Sequence, residues 1–127
     1  MDQMLKNYID TIAPRIAEVE EKASVIMPDN PHELIDYITD LRGYAVFLNK
    51  IHNELQLLYR QAEFSYKPIK TKEMTEFDRE ILLKSLVSDY EMWKDRVEGL
   101  IDIIEGHSSM AQSIIAFEKA AMGHLNS

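Results

Sequence analysis

The sequence predicts an all-α protein, three long helices in an antiparallel, coiled-coil-like bundle. Apolar residues recur at alternating four- and three-residue spacings along most of the chain, as on helices that pack along a seam. Only four Gly and four Pro occur in 127 residues, which leaves little material for turns. The 46% hydrophobic and 28% charged content is that of a globular domain rather than a disordered or membrane chain.

The first helix is predicted over residues 3–27. Leu5, Ile9, Ile12, Ile16, Val19, Ala23 and Ile26 keep the four-three spacing, while Glu18, Glu20 and Glu21 lie mostly off that face. Pro14 falls inside it. Because the pattern continues on both sides, the proline is expected to kink the helix rather than end it.

Met27-Pro28-Asp29-Asn30-Pro31 is the clearest turn. Asn30 suits an N-cap, Pro31 the first helical position and Glu33 a capping box. The second helix is predicted over 31–66, with Tyr37, Leu41, Tyr44, Leu48, Ile51, Leu55, Leu58 and Ala62 in one stripe. Leu34, Ile38, Ala45, His52 and Tyr59 widen that stripe enough to touch two neighbours.

Lys67-Pro68-Ile69-Lys70-Thr71-Lys72 interrupts the pattern. The third helix is predicted over 75–124, opened by Thr75 with Asp78 as its capping partner. Its seam runs through Leu86, Tyr90, Trp93, Val97, Leu100, Ile104, His107, Ala111 and Ile114. Gly106-His107-Ser108-Ser109 admits two readings. Gly106 would close one helix and Ser109 cap a fourth, short one; against this, the seam crosses the segment without losing phase, which favours a continuous helix. The whole chain, 1–127, reads as a single helical domain.

Lengths then raise a question of cover. At 1.5 Å per residue the second helix spans roughly 54 Å and the third roughly 75 Å, so the third outruns its neighbour. The projecting part, 107–127, is nearly free of charge: Met110, Ala111, Ile114, Ile115, Phe117, Ala121, Met122 and Leu125 sit among Glu118 and Lys119. A helix apolar on most sides requires burial. A homo-oligomer is therefore expected, with this segment as its interface; folding back near Gly106 is the alternative.

Charge narrows the partners. A net charge of −8 lacks the cationic footprint of most nucleic-acid binders, so direct binding of nucleic acid is not expected. Glu91, Asp95, Glu98, Asp102 and Glu105 form an acidic ridge at four-three spacing. Its ordinary role is a solvated face, and its sharper role is to dock a basic protein. Lys67, Lys70 and Lys72 are expected to serve solubility, and Trp93 with the tyrosines to lie in the core. No apolar run reaches the roughly 18 residues of a membrane span. The opening residues lack a secretory pattern and Cys is absent, so a cytoplasmic location is expected.

Glu18-x-x-Glu21 followed by Glu33-x-x-Asp36 resembles the carboxylate pairs on facing helices of the all-α MazG-like nucleotide pyrophosphohydrolases. The resemblance spans only Glu18 to Asp36. It implies magnesium held against a triphosphate by Glu18, Glu21, Glu33 and Asp36. The helical wheel turns these carboxylates toward solvent, so no catalytic residue, metal or cofactor is expected.

His32, His52, His107 and His124 lack the Glu-x-x-His pairing of di-iron bundles. His52 and His107 fall on apolar stripes, where a polar residue sets register or makes an interface pH-sensitive. In general look the chain resembles small helical accessory proteins of bacteria and their phages. The expected function is a non-enzymatic, self-associating interaction module, with an oligomeric binder of a nucleotide-like small ligand as the first alternative and a MazG-like nucleotide pyrophosphohydrolase as the second.

Overall fold

The computed structural model describes residues 3–66 and 75–125, with side chains over 3–64 and 75–123. It contains three helices, α1 (Gln3–Ala23), α2 (Pro31–Tyr66) and α3 (Glu76–Leu125), packed as a helical bundle. The described residues contain no strand.

The helix starts follow the capping chemistry. Asn30 Oδ1 accepts the His32 N–H at 2.8 Å, and the Asn30 carbonyl accepts that of Leu34 at 2.9 Å. Thr75 Oγ1 accepts the Asp78 N–H at 3.1 Å. Each satisfies a donor that the first turn leaves without an intrahelical partner.

α1 passes through Pro14 but ends at Ala23, four residues short of the predicted Met27. Its last turn tightens, as the Ser24 and Val25 N–H groups reach the carbonyls of Glu21 and Lys22, three residues back. The Ser24 hydroxyl also donates to the Glu21 carbonyl at 2.6 Å. Such three-residue bonds consume the acceptors that would continue the helix. Pro28 then disfavours helical geometry at Met27.

α3 is continuous through Gly106, and no described residue has positive φ. The unbroken seam, rather than the glycine, decided this segment, and the described residues contain no fourth helix.

Cross-helix contacts give the topology. Tyr59 stacks on Tyr90, His52 meets Glu98 and Tyr37 meets His107, so α2 and α3 run antiparallel. Tyr8 donates to Glu54, and the Arg15 guanidinium lies over the Phe47 ring, which sets α1 antiparallel to α2. α1 therefore runs parallel to α3, tied to it where Arg96 donates to both carboxylate oxygens of Glu20.

The main core gathers Leu5, Ile9, Ile12 and Ile16 of α1, Leu41, Leu48 and Leu55 of α2, and Leu86, Val97 and Ile104 of α3. A smaller cluster joins Leu34 and Ile38 to Ala111, flanked by Met27, Tyr37, Ile114 and Ile115. No charged or polar residue is buried among the described residues.

α1 stops level with Gly99, where Glu20, Ala23 and Ser24 meet Gly99, Leu100 and Ile103 around an open hollow of about 350 Å³. From there α3 is covered by α2 together with Met27 of the α1–α2 connection, and the apolar clusters end near Ile114 and Ile115, level with the start of α2.

Candidate interaction surface on the third helix

Beyond Ile115 the last ten residues of α3, Ala116 to Leu125, extend past both core clusters, with Glu118 alone half-buried among their described side chains. Phe117 is 76% exposed and Met122 62%, and Ala121 is exposed as well. Closer in, Met110 is 58% exposed, whereas Ile114 and Ile115 are half-buried against α2. Ala111 is fully buried, held between Leu34 and Ile38 of its own chain. The predicted segment thus divides into a part that packs against α2 and a part whose apolar side chains stay exposed among the described residues. The side chains of His124 and Leu125 lie outside the described set, as do Lys67, Lys70 and Lys72.

A second pattern on α3 escapes a reading that follows only the seam toward α2. Ile103, Met110 and Phe117 stand seven residues apart and are each at least half exposed. Between them Gly99, Gly106, Ser113 and Ala120 recur at the same interval, all exposed. Together they make a second four-three line, turned away from α2 and beginning where α1 ends. The signal lay in the sequence as a seam built of alternating small and large residues. A search for apolar spacing alone passes over its glycines and serine, and Gly106 reads instead as a place where the helix could close.

The acidic ridge is less uniform than its spacing implies. Glu91, Asp95, Asp102 and Glu105 are exposed. Glu98 instead reaches around to α2, its Oε1 2.8 Å from His52 Nε2. Asp95 borders the hollow at the end of α1. The ridge therefore keeps four carboxylates on its solvent side and uses one internally.

The two histidines on the apolar stripes both have partners within the chain. His107 Nδ1 lies 3.1 Å from the Tyr37 hydroxyl, and His52 meets Glu98. These contacts tie α2 to α3 at two points along their length and so mark their register. Trp93 is half-buried against the core with the Arg96 guanidinium 4.9 Å from its ring centre. Hydrogen bonding to Glu20 raises the pKa of that guanidinium.

Tyr59 and Tyr90 stack with ring centres 4.2 Å apart and planes inclined by 12°. Burial, then hydrogen bonding to Glu63, pushes the Tyr59 phenol up to about 12. A phenol whose folded pKa lies above its unfolded value near 10 stabilises the fold fully below that value and loses the contribution as pH rises. Thermal melts should therefore show Tm falling between pH 10 and 12, with a smaller fall in Tyr59→Phe. An equal fall in both proteins would separate the alkaline transition from this phenol.

Glu18, Glu21, Glu33 and Asp36 are all exposed, and Glu18 pairs with Lys22 at 3.3 Å. Among the described residues no group of three His, Asp or Glu side chains is placed to hold a metal ion. No described helix is long and apolar enough to cross a membrane. No protein-family model matches the chain, and no curated protein or solved structure aligns with it.

Proposed function

We propose that this protein is a self-associating helical interaction module. The far half of α3 meets a second copy, and the exposed part of the acidic ridge receives a basic protein. One observation carries the reading: Phe117 and Met122 stand largely bare on a helix that has outrun both of its neighbours. Exposed apolar side chains scattered singly are ordinary on a soluble surface. Several of them close together on one end of a helix are the arrangement that association covers.

The ridge supports the second half of the reading. Asp102 adjoins Ile103 and Asp95 lies about two turns before it, so a partner docked on the ridge would meet acid and apolar side chains together. Capture of a basic partner would weaken as salt screens the charges.

The test is absolute mass in solution. At tens of micromolar the intact chain should scatter as a multiple of 14.8 kDa. Phe117→Glu combined with Met122→Glu should scatter as a single chain with unchanged helix content. Both positions are exposed, so the fold should tolerate the charges. An intact chain that remains single under these conditions would remove the proposal.

A further inference from the structure

The second line on α3 has a geometry that names its occupant. On the basis of the self-association proposed above, we infer that two copies pair α3 against α3 antiparallel, about a two-fold axis passing between Ala111 and Gln112.

The pattern is self-complementary in that arrangement. Small residues alternate with large ones, so an antiparallel partner places each large side chain over a small one. Ile103 lies opposite Ala120, Gly106 opposite Phe117, and Met110 opposite Ser113. A two-fold interface requires such reciprocity, since each contact occurs twice. An in-register parallel pair would instead set Phe117 against Phe117 and leave a void where Gly106 faced Gly106. Small residues at alternate layers also allow the helix axes to approach toward the lower end of the roughly 8–10 Å range.

The glycines supply an independent argument. In a helix interior Gly costs about 1 kcal/mol relative to Ala. Gly99 and Gly106 have no positive φ, and a Cβ at either would meet nothing within 4 Å. Among the described residues, therefore, nothing within the chain uses their lack of a side chain. A second helix lying along them would.

Charge and length agree. Glu105, Glu118 and Lys119 lie on other sides of α3, and the near flank carries Ser109, Ala116 and Gly123 after a single acid, Asp102. No like charges would be brought together along the pairing. The open stretch begins at Gly99, where α1 ends, and runs to the end of the helix. The projecting end of the partner would reach back along it to the hollow bordered by Ala23 and Ser24.

The absence of Cys makes disulfide trapping a direct test. Ile103→Cys and Ala120→Cys are made as separate full-length proteins, both at exposed positions. Along one helix these positions are roughly 25 Å apart, whereas a disulfide needs Cα atoms within about 7 Å. On mild oxidation an equimolar mixture should give the mixed disulfide dimer at least tenfold faster than either variant gives its own dimer. Each variant linking to itself would show parallel pairing and overturn the inference. A mixture that does not link, in protein whose mass is still that of a dimer, overturns this geometry while leaving self-association standing. A mass of one chain overturns self-association itself. As a second check, Gly106→Leu should keep the helix content and weaken association more than tenfold, because the new side chain would occupy the place of Phe117. Unchanged association in that variant would also overturn the pairing.

Discussion

Leu48→Ala should lower the free energy of unfolding by about 2–5 kcal/mol, read from urea denaturation. Leu48 is fully enclosed near the middle of α2, in a cluster drawn from all three helices. Truncation there removes apolar contacts and leaves a cavity that long, straight helices are poorly able to collapse. Leu57→Ala provides the contrast on the same helix. That side chain is mostly exposed, so its loss should change stability by no more than about 0.5 kcal/mol. Similar effects at the two positions would contradict the burial pattern.

Ala111→Glu should cost several kcal/mol where it is buried, and the helix has a cheaper way out than global unfolding. Ala111 touches Leu34 and Ile38 in a cluster whose other members, Met27, Tyr37, Ile114 and Ile115, carry no charge at neutral pH. The end of α3 should therefore peel from the start of α2, leaving the main core intact. In hydrogen exchange, amides from about Gly106 onward and those near Leu34 should lose protection, while those around Leu48 and Val97 keep it. Phe117→Glu, only six residues away but exposed, should leave protection unchanged at matched, dilute concentration. The pair separates the part of the tail that serves the fold from the part free to meet another molecule.

That division shows what was legible in the sequence and what was not. The helices were readable because a seam at four-three spacing has few alternative structures, and Asn30 and Thr75 announced two starts through their side-chain oxygens. The end of α1 was less readable. Ile26 extends the apolar period, yet the Ser24 turn and Pro28 close the helix first, and local backbone bonding outweighed the pattern. The projecting tail followed from helix lengths alone. Which of its residues α2 covers did not, because that depends on where α2 begins relative to α3. Ala111 and Phe117 look alike in a list of apolar residues and differ only in that register. Glu98 was likewise readable as a ridge acid, but its attachment to His52 required the angle between two helices.

The modest role of α1 has a consequence for how the protein acquires its structure. α2 and α3 share most of the interhelical contacts, and α1 lies against them more lightly. The pairing of α2 with α3 therefore supplies most of the interhelical contact from which a folding nucleus can be built. The α2–α3 hairpin is then the natural nucleus, and α1 joins after the rate-limiting barrier. Weakening α1 at Leu5 or Ile9 would leave the folding rate almost unchanged and hasten unfolding instead. The first helix would thus act as a latch, setting the lifetime of the native state rather than the speed at which it is reached.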